Sequence, residues 1–341
     1  MKSYFLRLLL AGLVGSLLCS PAMADPLEDW SPKFDPKGAQ YTYLLSNITH
    51  PSQKAAAIGY HIRDAVWERS GGRLYVDYRP MAQLGGERDV INKVKMGAVH
   101  GMVLSNVAAV NINPKFAFLS LPYLIETYEK LEKFRQNKEL FDEFRDIALS
   151  QGLMTVDLTG YGSQGWATTQ PVQTLEDAKN IKFRIAEAPV LRDIFKTWGL
   201  QYTVMPWPDV AHAMQTGVIN GLDQTAITCS ITKKFEIARH FTEVNYIQGM
   251  FIHYINKRWY DKLPADLQKI LIEVIEEESA KTRLANQQQE DELIASAKAD
   301  GVQFYKLSAQ EEQKLKDTAV PVYKSWETRI GKDYLEKMRK L

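Results

Sequence analysis

The sequence predicts an α/β fold arranged in two domains, and two observations support this prediction. Between residues 180 and 225, short apolar strands alternate with short helices, which is the pattern of parallel strands joined by right-handed crossovers. The chain of 341 residues is also longer than a single hydrophobic core usually supports. Because ligands of such sheets bind at the carboxyl ends of the strands, we expect the functional side chains there.

The first 24 residues have the pattern of a signal peptide. A basic start and an apolar run at residues 8–18, too short to span a bilayer, precede the cleavage sequence Ala22-Met23-Ala24. We therefore expect cleavage after Ala24 and an exported mature chain. Cys19 raises the alternative of a lipoprotein, but Leu18 before it is not the small residue that such processing prefers.

Charge, cysteine content and motif spacing exclude several classes of function. Loss of Lys2 and Arg7 with the signal peptide changes the formal net charge from +1 to −1, which gives no electrostatic reason for nucleic-acid binding. The mature chain would keep one cysteine, Cys229, so it forms no intramolecular disulfide and no cysteine zinc site. The six histidines lack the spacing of a helical metal site, and no G-x-S-x-G sequence is present. We expect no catalysis, no cofactor and no metal.

The first half of the mature chain predicts strand–helix units in sequence. Strands are predicted at residues 41–48, 73–78 and 101–104, with a helix at 52–69 capped by Ser52 and a second helix that ends near Gly97. Asn47, Ser105 and Asn106 lie at the ends of strands, and Glu87 lies near the start of the second helix. Residues 127–150 predict one or two charged surface helices, followed by a strand at 153–158.

The second half of the mature chain repeats the strand–helix unit and carries an arginine within one predicted strand. The pattern predicts strands at residues 181–186, 200–205 and 220–225, and helices at 190–198 and 209–216. Glu187, Trp207 and Gln224 then fall at carboxyl ends of strands. Arg184 interrupts the first of these strands, and its planar guanidinium matches a carboxylate through two parallel hydrogen bonds. The alternative is a structural salt bridge to an internal Asp or Glu.

Several motifs in one order resemble the DctP-type solute-binding proteins of TRAP (tripartite ATP-independent periplasmic) transporters. They are Gln83-Leu84-Gly85 with Arg88, the segment Leu121–Leu124, Lys182-Phe183-Arg184, Met205-Pro206-Trp207 with Val210, and the run from Met214 to Gln224. The resemblance covers most of the mature chain. It implies a two-lobed periplasmic binding protein fold of the α/β class, with a hinge, a ligand cleft between the lobes and a long helix that spans both.

The resemblance also implies a division of the chain. After the signal peptide (1–24) we expect lobe I at 25–160, lobe II at 161–248, and a return through lobe I at 249–289. Residues 290–341 would then pack on lobe II. Gly160-Tyr161-Gly162 is the expected crossing and hinge, because glycine allows backbone rotation at little cost. The helical pattern at 266–298 would extend ~50 Å, enough to run behind both lobes.

Carried over residue by residue, the resemblance implies a binding site. Arg184 would clamp the carboxylate of the ligand, and the expected pocket residues are Gln224, Trp207, Glu187, Gln164, Trp166, Glu87, Asn106, Ser105 and Asn47. The alternatives are a core position for Trp166, an ion pair of Glu187 with Arg192, and capping roles for the residues of the first lobe.

Two departures from the family pattern narrow the ligand class. Many relatives carry a second arginine near Gln164, and many have Asn at the position of Gln224. A single cation argues against a ligand that is held by two cationic contacts, such as sialic acid or a dicarboxylate clamped at both ends. With aromatic walls and one or two glutamates, the pattern favours a monocarboxylate that is aromatic, hydroxylated or amino-bearing.

The function implied is that of a periplasmic receptor that binds a small organic carboxylate between its closing lobes. It would act as a monomer and deliver the ligand to the small and large membrane subunits of a TRAP transporter, driven by an ion gradient and not by ATP. One alternative is a receptor that presents its closed form to a membrane sensor. Another is an enzyme acting on small carboxylates.

Overall fold

The computed structural model describes residues 30–341, so the predicted signal peptide and its cleavage site lie outside the described residues. The described chain forms ten strands. They are β1 (Tyr41–Asn47), β2 (Leu74–Arg79), β3 (Gly101–Ser105), β4 (Leu153–Thr168), β5 (Lys182–Ile185), β6 (Gln201–Val204), β7 (Gly221–Thr225), β8 (His240–Glu243), β9 (Gln248–Asn256) and β10 (Gln303–Lys306).

Thirteen α-helices connect and cover these strands within the described residues. They are α1 (Lys54–Arg69), α2 (Glu87–Met96), α3 (Asn106–Ala109), α4 (Tyr128–Gln136), α5 (Lys138–Asp146), α6 (Leu175–Ala178), α7 (Pro189–Thr197), α8 (Val210–Gln215), α9 (Ala226–Ile231), α10 (Lys257–Tyr260), α11 (Ala265–Ala299), α12 (Ala309–Ile330) and α13 (Lys332–Met338). Short 3-10 helices include Pro114–Ser120, Trp207–Asp209 and Lys234–Glu236.

The strands form two sheets that share one strand. In the first sheet, β2, β1 and β3 are parallel, and β9 runs antiparallel between β3 and β4. In the second sheet, β5 pairs in parallel with both β6 and β7, while β4 is antiparallel to β7 and β8. The predicted α/β class and the parallel pairing of the three strands between residues 181 and 225 are confirmed.

The connection between the sheets is a single continuous strand. From Leu153 to Ser163, β4 pairs with β9, and from Gln164 to Thr168 it pairs with β7. The expectation of a strand that stops at residue 158 before a glycine-rich crossing is therefore wrong. The crossing is a β-bulge inside the strand, where the register shifts between Gly160 and Ser163 and Gly162 has φ +98°. Glycine adopts this positive φ without the strain that a side chain would cause.

The long helix is confirmed and lies behind both sheets. With 35 residues, α11 extends ~50 Å at ~1.5 Å per residue, and it packs on α1, β4 and α9. The Asn286 amide donates to the Gly160 carbonyl at 2.6 Å. The Arg283 guanidinium donates to the Leu158 carbonyl at 2.8 Å, so α11 is bonded to β4 on the approach to the bulge.

Two local predictions differ from the structure. Helix α1 has Gln53 at its N-cap, and Ser52 makes no capping bond there. The last long helix, α12, packs on α7 and on the 3-10 helix Pro114–Ser120, so it contacts elements of both halves and not only lobe II.

Candidate functional site

A cavity lies where the two sheets meet at the carboxyl ends of their strands. Its walls come from the segments that follow β1, β3, β5 and β6, from β4 and β9, and from the β7–α9 junction. The lining residues are Ile48, Thr49, Glu87, Ser105, Val107, Tyr161, Gln164, Arg184, Ala186, Leu191, Trp207, Asp223, Gln224, Thr228 and Phe251. The edge predicted from the strand–helix alternation is the edge where the cavity is found.

Arg184 is the buried cation of this cavity. Only 4% of the residue is exposed, and its Nε donates to the Met205 carbonyl at 3.0 Å. Its Cζ lies 5.5 Å from the centre of the Trp207 ring. Burial lowers its pKa to about 10, and the nearby carboxylates of Glu87 and Asp223 limit the decrease, so the group is charged at neutral pH.

The salt-bridge alternative for Arg184 is not found. Among residues 30–341 no carboxylate oxygen lies within 4 Å of its guanidinium nitrogens. A buried guanidinium is costly unless it is paired at hydrogen-bonding distance. The arrangement therefore leaves the fork of Arg184 oriented for an anion that the protein itself does not supply at contact distance.

Two buried carboxyl groups accompany Arg184. Glu87, at the start of α2, accepts the Ser105 backbone N–H at 2.9 Å, and burial raises its pKa although Ser105 and Arg184 oppose the increase. Asp223, on β7, accepts the Tyr246 hydroxyl at 2.8 Å through Oδ2. Its Oδ1 is buried and has no hydrogen-bond partner among the described residues. Burial raises the pKa of Asp223 to about 7, against the effect of Tyr246 and Arg184.

Several predicted residues meet in the cavity wall. Gln164 is 3% exposed, and its side-chain oxygen has no hydrogen-bond partner among residues 30–341. Gln224 lines the cavity, with its side-chain oxygen accepting the Thr225 backbone N–H at 2.9 Å. Trp207 is half-buried and follows β6, and Ser105 lies at the end of β3. The structure therefore brings Glu87, Ser105, Gln164, Arg184, Trp207 and Gln224 together around one cavity.

Glu187 lies in an adjoining cavity beside Arg184 and Trp207. Glu87, Arg88, Asn111 and Pro206 also line this second chamber. The alternative for Glu187, an ion pair with Arg192, is not present among the described ion pairs. The Glu187 carbonyl accepts the Asn111 side-chain amide at 2.8 Å, which joins the two halves of the chain across the chamber.

The structure places three predicted residues outside the cavity wall. Trp166 is fully buried, with ring centres 5.4 Å from Phe183 and 6.0 Å from Trp198, so it is a core residue and not a pocket wall. The Asn106 side chain bonds to the backbone of Leu119, Gln248 and Met250, which fixes α3 against β9. The Asn47 side-chain oxygen accepts the Thr49 N–H at 2.6 Å, a local turn contact beneath the lining residues.

Sequence reasoning missed Asp223 and an aromatic pair. The only sequence signal for Asp223 was a carboxylate one residue before Gln224, at the end of a predicted strand. Tyr161 and Phe251 stack with ring centres 4.4 Å apart on the paired strands β4 and β9. Tyr161 stands between the two glycines of the expected crossing, where the sequence predicts a hinge and not a pocket wall.

Residues 30–341 offer neither a metal-binding cluster nor a membrane-spanning helix. These residues contain no cluster of three or more His, Cys, Asp or Glu side chains placed to hold a metal ion. None of the helices described is both long enough and apolar enough to cross a bilayer. Cys229 is buried, and burial raises the pKa of its thiol to about 12.

Comparison with known proteins gives a consistent family. Residues 47–329 match the family model "Bacterial extracellular solute-binding protein, family 7". The C4-dicarboxylate-binding periplasmic protein DctP of Rhodobacter capsulatus is 24% identical over 336 residues, which cover 95% of each chain.

Solved structures agree with the fold. A TRAP periplasmic solute-binding protein of Shewanella oneidensis with bound succinate superposes with a TM-score of 0.84 at 21% identity, covering 89% of this chain and 99% of that one. A protein of the same kind from Desulfovibrio salexigens, with bound orotic acid, has a TM-score of 0.82 at 21% identity and covers 88% and 97%. The similarity to these structures confirms the two-lobed fold.

Proposed function

The chain belongs to bacterial extracellular solute-binding protein family 7, the DctP-type proteins of TRAP transport systems, and from this premise we propose that it is a receptor for a small organic monocarboxylate. Arg184 binds the carboxylate in the cavity between the two sheets, and the receptor delivers the ligand to the membrane subunits of a TRAP transporter. The observation that carries the proposal is the buried guanidinium without a carboxylate partner within 4 Å in the described chain.

The preference for one carboxylate follows from the charges of the wall. Arg184 is the only cationic side chain among the fifteen residues that line the main cavity, and Gln164 contributes a neutral amide. A second ligand carboxylate would have to lie beside Glu87 or Asp223, both of them buried. Like charges at short distance in a buried site repel strongly.

The relatives support the choice of a carboxylate. The Rhodobacter capsulatus protein is named for C4-dicarboxylates, and the two solved structures hold succinate and orotic acid. These compounds differ in size and shape, and each carries a carboxylate. The shared group is therefore the one that we assign to Arg184, and the remainder of the ligand is set by the rest of the wall.

The proposal is tested with a thermal-shift screen of ligand-free protein against small organic acids. A ligand at about 100 times its dissociation constant stabilises a protein by about 2.7 kcal/mol, which raises the melting temperature measurably. We expect hits among carboxylates, and a loss of affinity of at least about 100-fold in Arg184→Gln, because the ligand carboxylate then lacks its buried partner. Arg192→Gln, an exposed arginine of α7, is the matched control and keeps full affinity.

The ligand-free Arg184→Gln variant separates binding from a structural role. If Arg184 serves the ligand, removal of its buried charge leaves the melting temperature of the ligand-free protein unchanged or higher. A lower melting temperature together with retained carboxylate affinity would show that Arg184 is structural and would overturn the proposal. Responses restricted to sugars or cations would overturn it as well.

The proposal includes export to the periplasm with cleavage after Ala24, and action as a monomer. Mass spectrometry of the protein from the periplasmic fraction tests the cleavage site, since a mature chain that starts at Asp25 has a defined mass. Light scattering with and without ligand tests the oligomeric state. A stable dimer in both states would contradict the monomer.

A further inference from the structure

Two acceptor atoms in the wall of the main cavity have no donor. Asp223 Oδ1 and Gln164 Oε1 are both buried, both belong to lining residues, and neither has a hydrogen-bond partner among residues 30–341. Gln164 can rotate its amide to present a donor instead, but a carboxylate oxygen of Asp223 can only accept while it is ionised. Because a buried acceptor without a donor is costly, a ligand N–H or O–H group that reaches these atoms would stabilise the complex.

The charges around the cavity favour a ligand ammonium over a hydroxyl as the donor. The main cavity contains one cation, Arg184, and two carboxyl groups, Glu87 and Asp223. The adjoining chamber adds Arg88 and Glu187, which balance each other formally. Lys234 lies 5.4 Å from the Trp207 ring centre, but its ammonium donates to the Thr232 carbonyl and does not line either chamber.

With these groups ionised, the two chambers together carry one net negative charge. A monoanionic ligand would raise this to two negative charges, and a dicarboxylate would raise it to three. A ligand that carries one carboxylate and one ammonium leaves the balance unchanged. The zwitterion is thus the class of carboxylate that the buried charges penalise least.

We propose that the ligand is a zwitterionic amino acid whose carboxylate binds Arg184 and whose ammonium group donates to Asp223 Oδ1, which makes Asp223 the specificity-determining residue of the site. This inference rests on the receptor function proposed above and names its ligand class. Glu87, at the start of α2, is the second acidic group of the cavity wall.

Arg184 and Asp223 belong to adjacent strands of the second sheet, and both line the main cavity. Arg184 on β5 is aligned with Leu222 on the parallel strand β7, one residue before Asp223. Neighbouring strands lie about 4.8 Å apart, so the backbones that carry the two charged groups lie side by side.

The hydroxyl of Tyr246 keeps Asp223 in place for this role. It donates to Oδ2 at 2.8 Å, and Oδ1 has no hydrogen-bond partner among residues 30–341. Tyr246 is itself fully buried against Trp198, with ring centres 5.0 Å apart. The carboxylate is therefore held by a rigid aromatic core, which is the condition for a charge to discriminate between ligands of similar shape.

The test uses matched sets of compounds that differ in one group. Each set contains an α-amino acid, the same acid with hydrogen in place of the amino group, the hydroxy acid, and the substituted malonate; for example phenylalanine, 3-phenylpropanoate, phenyllactate and benzylmalonate. Sets built on all the common amino acid skeletons, with both enantiomers and the β-amino acids, are screened by thermal shift, and dissociation constants of hits are measured by calorimetry.

We expect the amino acid of the responding set to bind at least about tenfold more tightly than its deaminated and hydroxy counterparts, and the malonate to bind weakest. A charge-assisted hydrogen bond lost in a buried site accounts for this factor. Preference for the hydroxy acid or the malonate would overturn the amino acid assignment while the receptor function stands. No response from any carboxylate would overturn the receptor function itself.

The isosteric variant Asp223→Asn tests whether Asp223 binds the ammonium group of the ligand. We expect it to lose at least about tenfold in affinity for the amino acid and to gain affinity for the deaminated acid of the same set. Asp142→Asn, an exposed carboxylate of α5, is the matched control and changes neither constant. An unchanged ratio of the two affinities in Asp223→Asn would show that the ammonium is bound elsewhere.

Proton exchange on binding gives a readout that needs no variant. Because the pKa of Asp223 is about 7, an ammonium that binds to it should release about half a proton at pH 7, whereas a monoanion should cause proton uptake. Calorimetry in buffers of different ionisation enthalpy measures the sign. Uptake of protons with the tightest ligand would contradict the proposal even if Asp223→Asn failed to fold.

Discussion

Glu290 is a buried acid that faces the crossing between the sheets, and its ionisation is expected to control stability. It lies on α11 behind β4, where its Oε1 is 2.7 Å from the position that a Cβ on Gly162 would occupy. Burial raises the pKa of Glu290 to about 7, and the negative charges of Asp291 and Glu243 add to the increase. The nearby Tyr128 hydroxyl and Ser163 N–H lower the pKa and offset only part of this effect.

The sign and size of the effect follow from the two pKa values. In the unfolded chain the carboxyl group has a pKa of 4.5, and in the folded chain its pKa is about 7. Below pH 4.5 both states are protonated, so folding carries no penalty. Above pH 7 the folded state must hold the ionised form, which costs about 3 kcal/mol. Stability from this group is therefore lost as the pH rises from 4.5 to 7.

The variant Glu290→Gln should remove this dependence. Glutamine resembles the protonated acid, so the variant should match the wild type near pH 4.5 and exceed it by up to about 3 kcal/mol at pH 8. In a chain of this length that corresponds to a rise of about 5 °C in melting temperature. The assay is differential scanning fluorimetry of ligand-free protein from pH 4.5 to pH 8.5.

The matched control lies on the same helix. Glu292→Gln changes an exposed acid of α11, and its difference from the wild type should not vary across this pH range. The reasoning is refuted if the melting curves of Glu290→Gln and the wild type run parallel from pH 4.5 to pH 8.5. Parallel curves would mean that Glu290 ionises with the same pKa in the folded and unfolded chains.

Three further predictions follow from the same geometry. Gly162→Ala should lower the free energy of unfolding, measured in urea, by about 1–3 kcal/mol, because alanine at φ +98° is strained and its methyl group meets the Glu290 carboxyl. An unchanged urea midpoint would show that the bulge relaxes. Asp157→Asn should lower the free energy of unfolding by about 3–5 kcal/mol, because the fully buried carboxylate of Asp157 pairs with Arg135 at 2.7 Å and with Arg283 at 3.4 Å. A decrease of less than about 1 kcal/mol in the same urea measurement would contradict this. Trp207→Leu should weaken ligand binding about 5- to 30-fold without lowering the melting temperature of the ligand-free protein, and unchanged calorimetric affinity would exclude ligand contact.

The unit from β5 to β7 was predictable because its signals are local. Pro189 at the first turn and Gly199 with φ +71° after the last turn mark the ends of α7, and both can be read from the sequence. The boundaries of β5 and β6 lie within one residue of the predicted positions. Propensity, caps and apolar spacing all favoured the same structure here.

The course of β4 could not be predicted because its signals are distant. Each half of the strand pairs with segments that lie far along the chain, so a glycine-rich stretch that looks like a loop becomes a bulge within a sheet. The burial of Trp166 has the same origin, since the face it occupies is decided by pairing with Asp223 on β7 and Thr242 on β8. No local pattern distinguishes a tryptophan of the core from one of the pocket.

In the proposed receptor, two residues of the cavity wall lie close to the β-bulge of β4. The paired strands β4 and β9 carry glycines at the same level, since a Cβ on Gly249 of β9 would lie 2.9 Å from the Gly162 carbonyl oxygen of β4. Next to these glycines, Tyr161 and Phe251 stack on each other and line the cavity. A ligand against this pair therefore lies close to the bulge of β4 and to the strand that pairs with it. Fixing the ring pair should hold β9 against the bulge of β4, so affinity and lobe closure are expected to change together in variants of either ring.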